Sequence, residues 1–249
     1  MASRSCSNRQ SIELLSYLHG SRTTKGVCTR LCFKKGNARF MATLIPNQEF
    51  TQLASEDRLT QTVQALEARG IRTMIVETGE EARSRVLDLI PDGAEVYNSP
   101  SHTLEVIGLE ANILQATRFI PVRARLQALD HVKEQYERRR VTASPDVLVG
   151  SVQAITQAGQ ILLASASGSQ LSSAAAGAGK IIWVVGTQKL VRSLEEGQRR
   201  IQEYCYPLED VRTRKVYGQP SAINKLLIVQ GEHVPGRIVI VLVKQPLGF

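Results

Sequence analysis

Hydroxyls, glycines and Lys189 gather at the C-terminal ends of three short apolar runs between Ala143 and Leu190. Val147-Leu148-Val149 opens into Gly150-Ser151, and Ile161-Leu162-Leu163 opens into Ala164-Ser165-Ala166-Ser167-Gly168-Ser169. The run Ile181 to Val185 opens into Gly186-Thr187-Gln188-Lys189. This set suits an anionic or carbonyl-bearing ligand: hydroxyls and backbone N–H groups donate, Gly168 permits close backbone approach, and Lys189 supplies charge. Short Ser/Gly loops also serve simply to turn a chain, and both readings stand at this point. From Val141 to Leu190 there is no Glu, His or Cys, and the only carboxylate is Asp146. A site built on a carboxylate pair or a Cys/His pair therefore cannot lie wholly within the stretch. Ser167 lacks the G-x-S-x-G surroundings of a nucleophile elbow, and pairing with His102 or His233 would require proximity that spacing does not supply. Gly177-x-Gly179 precedes a strand instead of following one, the wrong context for a dinucleotide fingerprint.

A second hydroxyl-rich loop, Asn98-Ser99-Pro100-Ser101-His102-Thr103, leads from a short apolar run into a helical pattern. It fits an anion site at unpaired helix N–H groups, and it equally fits plain N-capping. Arg138-Arg139-Arg140 can meet phosphate or can be solvated cations at a helix C-terminus.

The elements that must position these loops alternate in type. Phe50, Leu53, Leu59, Val63 and Leu66 predict a helix over residues 48–69, irregular at its start, which Gly70 stops. Residues 71–76 predict a strand, and Thr78 and Glu81 have capping-box spacing before a helix with Ala82, Val86, Leu89 and Ile90 on one face. A strand over 94–97 precedes a helix with Leu104, Ile107, Ala111 and Leu114 on one side. Val122, Leu126, Leu129, Val132 and Tyr136 predict a further helix that carries His131 as a surface or packing residue. Ser193-x-x-Glu196 is a second capping box, before a helix with Leu194, Ile201 and Tyr204 inward that Pro207 closes. Residues 226–229 and 238–243 predict two strands joined by a turn. Alternating strands and helices indicate an α/β layered fold with a mostly parallel sheet flanked by helices.

The chain of 249 residues is 43% hydrophobic, ample for a substantial core, and carries a net charge of +8. That charge is concentrated: residues 1–40 hold eight basic residues and one acidic residue, leaving 23 basic and 22 acidic residues in 41–249. The near-neutral body argues against nucleic-acid binding. The division expected is a disordered basic leader over 1–40 and a single α/β domain over 41–249. The leader fits an organellar transit peptide, or sequence upstream of a true start at Met41. Cys6, Cys28 and Cys32 lie in the leader and only Cys205 in the body, so no disulfide framework and no metal site are expected. No run reaches the length of a membrane span, and a cytoplasmic protein is expected, organellar if the leader is a transit peptide.

Ala154-Ile155-Thr156-Gln157-Ala158-Gly159, the loop Ala164 to Ser169 and Val184-Val185-Gly186-Thr187-Gln188-Lys189-Leu190-Val191 together resemble the LUD domain of lactate-utilisation proteins. The segment Asn98 to Gly108 is similar to that family's hydroxyl-rich loop with its T-L-x-E-x-G ending, and Pro246-Leu247-Gly248-Phe249 also matches. The resemblance runs in order over about residues 50–249. It implies a NagB/RpiA/CoA-transferase-like fold and kinship with lactate-utilisation protein C, a component of a bacterial system that oxidises L-lactate to pyruvate with iron–sulfur partners. With one body cysteine this chain cannot supply a Cys-ligated cluster of its own. The related CoA transferases place a catalytic glutamate near the turn that here reads Thr156-Gln157-Ala158-Gly159, which puts CoA transfer in doubt. The expected role is binding a small anionic ligand at the strand ends through Ser99, Ser101, Thr156, Ser167, Gly168, Ser169, Thr187 and Lys189, as an accessory component of organic-acid oxidation. No catalytic residue or cofactor is assigned. The alternative is a stand-alone enzyme acting on a sugar phosphate or an acyl-CoA. Lys189→Ala is expected to weaken ligand binding without unfolding the protein.

Overall fold

The computed structural model describes residues 44–130 and 132–249, so the expectations for residues 1–40 and for His131 lie outside the described residues. A short 3-10 turn, Gln48–Thr51, comes before α1 (Glu56–Ala68), which Ser55 caps by accepting from the Arg58 N–H. Strand β1 (Arg72–Val76) leads to α2 (Gly79–Leu89), where Thr78 accepts from the Glu81 N–H as its spacing predicted. Next come β2 (Glu95–Asn98), α3 (His102–Val106), α4 (Leu109–Gln115), β3 (Ile120–Pro121), α5 (Val122–Ala128) and α6 (Gln135–Ala143). The central stretch forms β4 (Val147–Gly150), β5 (Ala154–Thr156), β6 (Ile161–Ser165), a π-helical turn over Ser173–Gly177 and β7 (Lys180–Gly186). A 3-10 turn (Thr187–Lys189), β8 (Leu190–Val191), α7 (Leu194–Arg200), a second π-helical turn (Ile201–Cys205), α8 (Tyr206–Tyr217), β9 (Lys225–Val229) and β10 (Ile238–Val243) complete the order. Among the described residues no helix is long and apolar enough to cross a membrane.

Six strands form one parallel sheet in the order β1-β10-β7-β4-β2-β3. Its central strands are near-continuous branched runs because both faces are covered. Along β7, Ile181, Trp183 and Val185 face one core while Ile182 and Val184 face the other, the period-2 alternation of a pleated strand. One face packs on α2, α3 and α4 through Val86, Leu104, Leu109 and Ile113. The other meets Leu59 and Leu66 of α1 and the inner residues Ile155, Ile161 and Leu163 of a second sheet. That second sheet has the order β8-β5-β6-β9, with β6 antiparallel to both neighbours. Its outer face carries Ala154 and Leu162 against Ile201 of the second π-helical turn.

The α/β class is as expected, and five local readings need correction. Ile161-Leu162-Leu163 is a strand of the second, mixed sheet, so the loop after it does not lie at a parallel strand end. Residues 226–229 and 238–243 do not pair with each other: β9 is an edge of the second sheet and β10 lies inside the first. Apolar content alone does not specify a partner strand. The helix after His102 is broken at Gly108, whose left-handed φ of +70° shifts the face, so that Leu109 and Ile113 are buried and Ala111 is exposed. The next helix is also two, because the Asp130 carboxylate accepts from the Val132 and Lys133 N–H groups at 2.8 and 2.7 Å and starts a new turn. Val132 and Tyr136 are consequently exposed. Pro207 does not end its helix. It sits in the first turn of α8, directly after the π-helical turn Ile201–Cys205, and the helix runs on to Tyr217.

Candidate functional site

Because all six main-sheet strands run the same way, the ends of β2, β4, β7 and β10 share one edge, the place where open α/β sheets hold ligands. A cleft of about 380 Å³ opens there. Ser99 to His102 after β2, Ser151 to Gln153 after β4 and Phe249 beyond β10 form one side. The loop after β6, Ala166 to Gln170, and the Ile201–Cys205 turn with the start of α8 form the other. The approach at the floor is close: a Cβ on Gly150 would lie 2.5 Å from the Ser99 Oγ.

Lys189 is fully buried. Its ammonium donates to Thr103 Oγ1 at 2.9 Å, Ser151 Oγ at 3.0 Å and the Phe249 carbonyl at 3.2 Å. Burial pushes its pKa down to about 7, with the positive charge of Arg200 acting in the same direction. Ser151 and Phe249 line the cleft, so Lys189 stands directly behind its wall.

Arg200, also fully buried, donates from Nη1 to the Gln153 carbonyl and to Cys205 Sγ, the latter at 3.0 Å. Its Nε and Nη2 have no hydrogen-bond partner. Among the described residues neither Lys189 nor Arg200 makes an ion pair with an Asp or Glu side chain: the nearby Glu209 is held by Arg212 at 2.7 and 2.8 Å. The unmet donors of Arg200 are costly, since each unmet polar group forfeits on the order of 1–3 kcal/mol and a charged one more. Burial raises the Cys205 thiol pKa, and the Arg200 charge opposes that rise. Asn98, at the end of β2, is buried with both side-chain polar atoms unpartnered. The π-helical turn between α7 and α8 places Cys205 at the cleft and Arg200 behind it, a use such turns often have.

The residues expected as ligand contacts are brought together only in part. Ser99, Ser101, Ser167 and Ser169 line the cleft. Ser101 stands at the N-cap of α3 without a capping hydrogen bond, so its hydroxyl is not engaged there. Ser167 accepts from the Ser169 N–H at 3.3 Å, Ser165 accepts from the Gly168 N–H at 2.9 Å, and Gly168 has a φ of +85°, so this loop is also a self-bonded turn. Burial raises the pKa of the Tyr97 phenol, and the Ser169 hydroxyl opposes that rise. Gly168 lies between cleft residues without lining the cleft. Thr187, buried, opens the 3-10 turn that aims Lys189 and does not line the cleft. Thr156 lies elsewhere: its hydroxyl accepts from the Gln160 N–H at 3.0 Å and closes the β5–β6 turn.

Sequence reasoning missed Arg200, Thr103, Gln153 and the role of Cys205. One signal was available for Arg200. Gly197 packs on Leu162, where a Cβ would stand 2.9 Å from Leu162 Cδ2, and Arg200 follows one helical turn later on that inward face. In sequence it looks like half of a solvated Arg199-Arg200 pair.

These features define an α/β protein with a cleft at its parallel strand ends and two buried basic side chains, Lys189 and Arg200, beside it. A family model described as the LUD domain matches residues 59–243, and the chain belongs to the LUD-domain family. Its resemblance in sequence is therefore met by the family itself. No curated protein matches the chain. A solved DUF162 family protein from Deinococcus radiodurans is similar to it at 15% identity, with 77% of this chain and 99% of that chain covered and a TM-score of 0.44.

Proposed function

We propose that this chain binds a small hydroxy or keto acid in the cleft and serves as an accessory component of lactate or related organic-acid oxidation. The observation that carries the reading is the pair of fully buried basic side chains, Lys189 and Arg200, beside the cleft, with no Asp or Glu side chain paired to either among the described residues. A bound carboxylate would supply the missing charge and meet donors already in place. Family membership supports the metabolic setting, since the LUD domain is linked to lactate utilisation. Among the described residues Cys205 is the only cysteine, so electron transfer through a Cys-ligated cluster falls to iron–sulfur partner proteins in this scheme.

The cleft volume favours a second reading. About 380 Å³ exceeds what a three-carbon acid fills, which leaves room for a sugar phosphate or part of an acyl-CoA. Thermal unfolding of the full chain against L-lactate, pyruvate, glycolate, a sugar phosphate and a CoA ester separates the two, because binding to the folded state raises the melting temperature. Stabilisation by a hydroxy or keto acid is expected. Stabilisation by the phosphate or CoA ester alone, with turnover by the isolated chain, would favour the enzyme, and silence across the panel would contradict both.

A further inference from the structure

The unsatisfied atoms of Arg200 form a particular pattern. A guanidinium presents two edges that can grip a planar anion, and Nε with Nη2 forms the side-on edge, whose two N–H bonds run parallel. In Arg200 it is this edge that lacks partners, while Nη1 is committed to Gln153 and Cys205. The residue is fully buried, and its Cζ lies 5.2 Å from the centre of the Tyr204 ring, which holds the plane of the group. Arg200 does not itself line the cleft, but Gln153 and Cys205, which its Nη1 touches, both do.

We infer that Arg200 is a carboxylate-binding residue: its Nε/Nη2 edge takes the two oxygens of a ligand carboxylate side-on, behind the cleft wall made by Gln153 and Cys205. This rests on the reading of the cleft as an anion site and deepens it by assigning the group that recognises the ligand's acid end. A planar monoanion suits the position better than a phosphate dianion. The nearby groups offer one fixed positive charge, a lysine whose charge is marginal near neutral pH, and a soft thiol, too few donors for three phosphate oxygens. Cys205 Sγ, 3.0 Å from Nη1, then stands beside the bound acid and reports its arrival.

The test uses that thiol in the full chain. Iodoacetate and iodoacetamide both alkylate a thiolate, forming a carbon–sulfur bond as iodide leaves, and differ chiefly in the carboxylate that the first carries. Labelling of Cys205 is followed by peptide mass spectrometry in the folded chain and in the same chain unfolded in guanidinium chloride. The iodoacetate-to-iodoacetamide rate ratio at Cys205 is expected to be at least about tenfold higher in the folded chain, as focused charge concentrates a counter-ion. Pyruvate should slow the iodoacetate reaction and inorganic phosphate should not. Arg200→Lys, which keeps the charge but loses the fork, should lose most of the preference, and Arg200→Gln all of it. The wild-type ratio needs no variant, so the test survives a variant that fails to fold. A folded ratio equal to the unfolded one overturns the assignment, as does a Cys205 that neither reagent reaches. An Arg200-dependent preference that neither pyruvate nor L-lactate competes upholds the carboxylate site and overturns the hydroxy-acid reading. Competition by pyruvate with no dependence on Arg200 does the reverse.

Discussion

If the ligand is held through charge at Lys189, its binding must be linked to protonation. Burial and Arg200 lower the Lys189 pKa to about 7, so the ammonium has no large reserve of protonation at neutral pH. With that value the free protein carries the charge in about 90% of molecules at pH 6 and in about 10% at pH 8, following the logarithmic relation between pKa and free energy. A ligand that binds only the ammonium form therefore loses about tenfold in affinity between those two pH values, or about 1.4 kcal/mol, with no change in its own ionisation. At pH 8 each binding event should also take up close to one proton. Titration calorimetry of the full chain with pyruvate measures both quantities, if the heats at pH 8 are compared between buffers of different ionisation enthalpy. His102 stacks on Phe249 in the cleft, so His102→Gln is run alongside as a control. An affinity that stays flat from pH 6 to 8, with no buffer-dependent heat, would refute the role given to the Lys189 charge.

The same lysine sets a pH dependence of stability. Its folded pKa is below the unfolded value of 10.5, so the unfolded chain binds the extra proton as pH falls from about 10.5, and stability is lost down to about pH 7 and is level below it. Between pH 7 and 9 the wild type should gain about 2 kcal/mol from this group by denaturant unfolding, and Lys189→Met should lack that gain. Met is the better probe than Ala, because a void at a fully buried site would add about 2–3 kcal/mol of its own, contrary to the simple expectation for an exposed contact. Gly177→Ala would put a Cβ 1.7 Å from the Ala143 carbonyl oxygen and should cost about 3 kcal/mol or more, read as a drop in melting temperature. Thr156→Val removes the hydroxyl that closes the β5–β6 turn and should cost about 1 kcal/mol while leaving pyruvate affinity unchanged; a lost affinity would return Thr156 to the site.

What could be read from the sequence follows from what local patterning encodes. The branched runs at residues 147–149 and 181–185 and the two capping boxes depend on neighbours in the chain, and all appear where expected. Strand partnership does not: nothing local to Ile161 or Leu226 says that both belong to a second sheet. The hydroxyl loops at Ser99 and Ser167 stand out in the sequence and line the cleft, although such loops also turn chains, as the one at Ser167 does. Arg200 was hidden because a basic residue on a helix is usually solvated, and its burial depends on Gly197, the π-helical turn and the packing of β5 and β6. The broken helices at Gly108 and Asp130 show the opposite case, in which a single residue overrides a good apolar period.

The most direct measurement is a crystal structure of the full chain with pyruvate bound. The account predicts its carboxylate reaching past the cleft wall at Gln153 and Cys205, with both oxygens at hydrogen-bond distance from Arg200 Nε and Nη2 and the Lys189 ammonium close by. A carboxylate seated away from both cations, with those Arg200 nitrogens still unpartnered, would contradict it.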